Sequence, residues 1–290
     1  MNPEKSTLLC LGFVEVSFYR VLGFLDAIFE SRKFTDIRGY SSVGMSAIIT
    51  SLIIAGYSVR DVMVFLAKFE TLPFFFHLDL SNSKIESEEF AASTRFFSAL
   101  RKKISKKIPG SLSLEAFYYQ TLKEFYICAR SCTEEQDVFF SHSSHPDVDL
   151  IEVLKLSVTV PHIGVNRKLG NHSFADASIT NPLPLEPLQT LNSHGNFNVI
   201  AMVATCDTYT NSANSYSDGI KKILLTPLCR IIREITDRND NAVWTIIVNT
   251  HSSQETLNPQ KVCSDVKKGF DQGLDFIKDF PSEDRVVEYD

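Results

Sequence analysis

The strongest constraint on the fold is a repeated switch between strand-like apolar runs and helical spacing of apolar residues. Residues 7 to 14 form a short β-type run, and Phe18, Val21, Leu22, Leu25, Ile28 and Phe29 then recur at helical spacing up to Glu30. A second strand around Phe34 to Tyr40 leads into a largely apolar helical stretch, Ser42 to Ala55, stopped by Gly56 as helices commonly are. Ser58 is placed to cap a further helix to Phe69, which Pro73 closes. Leu122 to Ala129 and Val138 to Ser141 read as strands, Leu150 to Val158 as a helix, Asn198 to Thr205 and Trp244 to Val248 as buried strands, and Gln260 to Asp279 as a closing helix. Ile220 to Ile235 is helical in pattern, with Pro227 expected to kink or break it. This alternation predicts an α/β sheet with helices on both faces. No repeat or long linker divides the chain, so residues 1–290 are expected as one domain: a core from about 7 to 279, a helical insertion from about 74 to 118 and a tail from 280.

Composition narrows the function classes. With 44% apolar residues in 290, the chain can bury a sizeable core. Its 29 Lys and Arg against 35 Asp and Glu give a net charge of -6, without the basic excess of nucleic-acid binders. Of six cysteines only Cys128 and Cys132 are close, with no CxxC and no nearby histidine, which predicts reduced, mostly buried thiols and no metal site. Glu15 interrupts the first apolar run and no cleavage site follows, so no signal peptide is expected. Val43 to Ala55 is too short to cross about 30 Å of hydrocarbon. These readings predict a cytoplasmic protein, at most peripheral on a membrane, with no cofactor.

Within the insertion, Glu86, Glu88 and Glu89 come first and Arg101, Lys102, Lys103, Lys106 and Lys107 last, the order a helix dipole favours. Five cations in seven residues read as a solvated helix end or as a contact for anionic lipid headgroups. Phe74 to Phe76 and His77 just before it read as core packing or, for the phenylalanines, as an acyl-chain channel.

Two segments could carry chemistry. Tyr40-Ser41-Ser42-Val43-Gly44 stands where a strand turns into a helix, the setting of an N-cap serine or of a nucleophile elbow. Phe174 to Pro184 holds Asp176 among small residues before Asn181-Pro182-Leu183-Pro184. Taken with Phe139-Phe140-Ser141, with Ser157 and Pro161, and with the glycine of the closing helix in Lys267-Lys268-Gly269-Phe270, these segments resemble the patatin-like phospholipase family in their order along nearly the whole chain.

The resemblance implies a three-layer α/β/α sandwich and a Ser-Asp dyad. In it Asp176 would act as general base on Ser42, forming an acyl-enzyme that water hydrolyses, in a phospholipase A type reaction on an acyl lipid. Ser42 would begin the helix and Asp176 would lie within hydrogen-bond reach of it. Gly12, Ser17, Arg20, Val43 and Gly44 would make the elbow and oxyanion region. The chain departs from the family pattern at Tyr40 for the first elbow glycine, at Ala177-Ser178 after the aspartate, and at Gly12-Phe13-Val14-Glu15-Val16-Ser17 where a glycine-rich oxyanion loop belongs. Arg20 reads either as a relocated positive group or as a solvated helix arginine. A Ser-Asp-His triad would need His251, but an elbow after only one or two strands fits that order poorly. The alternative to an enzyme is an eroded patatin-fold protein that binds lipid or a protein partner.

Overall fold

The computed structural model describes residues 5–14, 17–34, 36–69, 85–159, 167–206, 216–238, 243–250, 259–280 and 286–289. Glu15, Phe74 to Phe76, His77, Pro161 and His251 lie outside them. The elements run β1 (Thr7–Leu11), α1 (Phe18–Glu30), β2 (Ile37–Val43), α2 (Met45–Ile54), α3 (Val59–Ala67), α4 (Ile85–Ser105) and α5 (Leu114–Thr121). They continue as β3 (Glu124–Ser131), β4 (Gln136–Phe140), α6 (Leu150–Ser157), β5 (Arg167–Leu169), β6 (His172–Asp176), α7 (Glu186–Leu191) and β7 (Asn198–Cys206). The last are α8 (Tyr216–Arg238), β8 (Val243–Thr250), α9 (Pro259–Asp279) and β9 (Val286–Tyr289).

One sheet carries the fold, in the order β5-β6-β3-β2-β1-β7-β8-β9, with β4 also paired to β3. The six strands from β3 to β9 along this order are parallel, while β4 and β6 pair with β3 antiparallel. Alternation along β1 splits the core into two layers. Leu9 and Leu11 pack with α1, α2, α6 and Phe276 of α9 on one face, and Leu8 and Cys10 pack with Leu185, Leu188 and Leu228 on the other. Helices therefore cover both faces, as the sequence pattern requires. All ten residues of α2 are buried, which explains why its sequence is apolar all round. Ser58 and Asp61 form a reciprocal capping box that starts α3, and the Asp149 carboxylate caps α6.

Three expectations need correction. Helix α2 starts at Met45, so Ser42 belongs to β2 and does not open the helix. Pro227 sits inside an unbroken α8, on its exposed side, where a missing amide is least damaging. The segment read as a tail supplies β9, which pairs with β8 at the sheet edge. The thiols are mixed: Cys10, Cys128 and Cys229 are buried, Cys132 and Cys263 exposed, and all five are free. Glycine explains the closing helix. A Cβ on Gly269 would collide with the Arg20 carbonyl oxygen of α1, and one on Gly23 with the Val266 carbonyl oxygen of α9, so the two helices touch backbone to backbone.

Candidate active site

The carboxyl edge of the parallel strands is where an α/β sheet places its chemistry. Gly44 stands alone between the end of β2 and the start of α2, with φ 58° and ψ -137°. That backbone region belongs essentially to glycine, or to a residue held under strain at a functional turn. The apex of the elbow is therefore residue 44, and it carries no side chain.

Ser42 lies two residues before the apex. Its hydroxyl is fully buried and shares a 2.8 Å hydrogen bond with Thr50 Oγ1 of α2. Ser41 points to the other side and donates to the Pro184 carbonyl at 2.6 Å. Ser46, on the first turn of α2, donates to the Gly12 carbonyl. Val43 packs in the small cluster it forms with Cys128 and Ala177. Burial pushes the Cys128 thiol well up, with Asp137, Glu186 and Asp176 adding to it.

Asp176 reaches the elbow through the register. Strands β2 and β6 share one edge of β3, because β4 holds the other: Val43 pairs with Cys128, and Asp176 with the next residue, Ala129. Strand β6 thus ends where β2 leaves the sheet, so the aspartate lies level with Gly44 rather than with Ser42. Its backbone N–H donates to the Thr159 carbonyl at 2.7 Å. Its Oδ1 accepts from the Ser178 backbone at 2.8 Å and from the Ser178 hydroxyl at 2.6 Å. Burial pushes the carboxyl up to about 6 even though both Ser178 bonds pull the other way.

The loop after β1 is closed. The Gly12 N–H donates to the Met202 carbonyl at 2.8 Å and the Phe13 N–H to the Pro182 carbonyl at 2.7 Å. Phe13 and Val14 are buried side chains, and a Cβ on Gly12 would collide with the Pro182 oxygen. Ser17 caps α1 without a side-chain capping bond and is buried. Arg20 is buried, not solvated: it donates to the Asn249 carbonyl at 2.6 Å and stands 3.8 Å from Asp265. Its charge ties α1 to β8 and α9.

Two solved structures share this architecture. VipD from Legionella pneumophila matches with a TM-score of 0.57 at 14% identity, over 95% of this chain and 67% of VipD. The type III effector ExoU matches with a TM-score of 0.55 at 13% identity, over 96% of this chain and 54% of ExoU. Both carry the patatin fold.

The fold is patatin-like. A curated relative, "Probable lipid hydrolase 463L" of Invertebrate iridescent virus 6, is 22% identical over 193 residues, 64% of each chain. The chain therefore spans less than two thirds of that relative and about half of ExoU. No family model matches the sequence. Within this patatin-like frame the structure brings Asp176 to the elbow and directs the Ser42 hydroxyl to Thr50. The feature missed in the sequence was the apex itself. A lone glycine between an apolar strand and an apolar helix is the signal that could have marked it, since only glycine takes such a turn freely.

The basic run lies elsewhere. Arg101 makes a bidentate pair with Asp149, at 2.9 and 2.7 Å. Lys103 Nζ sits 4.1 Å above the Tyr57 ring, while Lys102, Lys106 and Lys107 are exposed. Among the described residues no helix is long and apolar enough to cross a membrane.

Proposed function

We propose that this chain is a patatin-fold lipid-binding protein whose hydrolytic site is eroded at the elbow. The observation that carries the reading is the pair Gly44 and Ser42: a side-chain-free apex, with the neighbouring serine buried against Thr50. The closed loop after β1 supports it. An oxyanion hole needs N–H groups free to meet developing charge, and those of Gly12 and Phe13 are taken by carbonyls. The acyl-lipid ligand class is carried over from the name of the viral relative.

A second reading keeps the enzyme: a phospholipase A type acyl hydrolase in which Ser42 and Asp176 act through an acyl-enzyme. Asp176 favours it, because a carboxyl raised to about 6 beside an elbow is tuned as a general base would be. The reading requires the end of β2 to rearrange so that Ser42 leaves Thr50.

One set of measurements separates the two. The purified chain is treated with a fluorophosphonate probe, assayed on short-chain esters and phospholipid vesicles, and titrated with a fluorescent acyl phospholipid. The eroded reading expects no labelling, no turnover, and lipid binding unchanged by Ser42→Ala. Labelling at Ser42 that disappears in Ser42→Ala establishes the hydrolase instead. Absence of both lipid binding and turnover removes both readings.

A further inference from the structure

The basic run and the elbow sit at opposite ends of the sheet. Helix α2 leaves the carboxyl edge at Gly44 and runs down to Tyr57, whose hydroxyl donates to the Lys103 carbonyl at 2.7 Å and whose ring lies under Lys103 and Lys107. Helix α6 spans the same gap. Its cap Asp149 holds Arg101, and Thr159 just past its end accepts the Asp176 N–H. At 1.5 Å per residue, the ten residues of α2 alone separate the two regions by about 15 Å.

This amino end has an unusual surface. Some exposed cations elsewhere are matched, as Arg38 is by Asp36, Arg230 by Glu234, Lys267 by Asp271 and Lys278 by Asp275, while Lys68, Lys168 and Lys268 stand singly; what sets this end apart is four lysines within six residues. Lys102, Lys103, Lys106 and Lys107 make no ion pair with a described residue within 4 Å, and Asp61, which Lys103 and Lys107 influence, is held in the Ser58 capping box. Tyr119 and Leu122, each 66% exposed, lie at the same end, with Leu122 in a left-handed conformation at φ 53°. The neighbouring Lys123 fixes their level, since its Nζ donates to the Ile37 carbonyl at the start of β2. Clustered lysines at the same end of the sheet as an exposed tyrosine and leucine are the combination an anionic interface rewards: headgroups for the ammonium groups, and the headgroup–acyl boundary for the aromatic and aliphatic pair.

We propose that the amino edge of the sheet is a docking surface for an anionic bilayer, and that docking turns the carboxyl-edge site away from that membrane. A ligand that reaches the elbow then arrives as a single lipid from the aqueous side, not by direct uptake from the surface below. The patch and its placement carry this inference independently of whether the elbow binds or hydrolyses.

The test uses the full chain and vesicles of phosphatidylcholine with and without phosphatidylserine. Sedimentation should show binding only to the anionic vesicles, weakening as salt rises. Lys102→Glu, Lys106→Glu and Lys107→Glu together should reduce it by about 100-fold, and Tyr119→Ser with Leu122→Ser by about 10-fold. Orientation is read with a fluorophore on Lys107→Cys or on Ile179→Cys, the latter beside Asp176 and 48% exposed, in a chain also carrying Cys132→Ser and Cys263→Ser. A quencher confined to the bilayer should dim the label at 107 and spare the one at 179. Failure of the wild type to bind anionic vesicles, binding that survives the charge reversal, or quenching at 179 equal to that at 107 each overturns the proposal.

Discussion

The two halves of the sheet's carboxyl edge satisfy their polar groups in opposite ways. On the β1–β2 side, Ser41, Ser42 and Ser46 and the N–H groups of Gly12 and Phe13 all have partners inside the protein, and the side chains of Phe13 and Val14 fill the loop. On the β3–β6 side, Asp176 keeps a carboxyl that burial raises to about 6 despite two hydrogen bonds from Ser178. The first half is built like core, and its groups add to stability. The second retains a carboxyl whose burial outweighs its two hydrogen bonds, of the kind that clusters at functional sites, where stability is given up for chemistry or binding. On the reading proposed above, erosion of a site need not be uniform: the serine side is packed like core while the aspartate side is not.

The largest effect should come from crowding the closed half. Gly12 has no room for a Cβ against the Pro182 carbonyl, which is itself bound by the Phe13 N–H, with Leu183 Cδ1 at 2.9 Å on the same side. Gly12→Val should lower unfolding stability by about 3–5 kcal/mol, a large share of what a domain of this kind possesses. Urea denaturation measures it. A loss below about 1 kcal/mol would mean that this loop is pliant, and the contrast between the halves would collapse.

Asp176→Asn should have the opposite sign. The folded-state pKa lies above the ordinary value of 3.8, so between the two the native state holds the proton that the unfolded chain has released. Stability from this group is therefore full below about pH 4 and is lost as pH rises through about 6. Removing the charge should stabilise the protein at pH 7 by up to about 3 kcal/mol and leave it nearly unchanged at pH 4. Melting curves of both chains across that range provide the check. Equal stability at the two pH values would show that Asp176 is solvated or paired in the native state.

Much of this architecture was legible because burial dictates periodicity. The spacing in Phe18 to Glu30 matches α1 end to end, and Ser58 caps α3 as its sequence context requires. The setting of Asp176 among small residues before Asn181-Pro182 marked it for attention, but its level with Gly44 rather than Ser42 came only from the register on β3. The identity of the apex was not. Ser42 and Gly44 both lie in the short stretch where strand gives way to helix, and a serine beside an apolar helix looks the same in sequence whether it caps, attacks or packs. Only the register of β2 on β3 and the φ of Gly44 distinguish these roles. The level of the basic run was hidden for a similar reason, since it depends on which way α2 and α6 run across the sheet. Strand β9 is four residues long with alternating exposure, too short to stand out from a polar terminus.

The smallest effect is also the most discriminating. A serine poised as a nucleophile at a strained turn is a stability liability, so replacing it by alanine leaves stability unchanged or raises it. A serine serving as core loses a hydrogen bond and leaves its partner buried without one. Ser42 is of the second kind on its contacts: fully buried, bonded to a Thr50 that is equally buried. Ser42→Ala should therefore cost about 1–2 kcal/mol, with Thr50→Val in the same range, and the double variant should cost less than the sum because neither polar group is then stranded. A double-mutant cycle by urea denaturation should return a coupling of about 1 kcal/mol between the two positions. If Ser42→Ala instead stabilises the protein and shows no coupling to Thr50, the serine is under functional strain rather than packed as core. The eroded-site account would then give way to the hydrolase with Ser42 as its nucleophile.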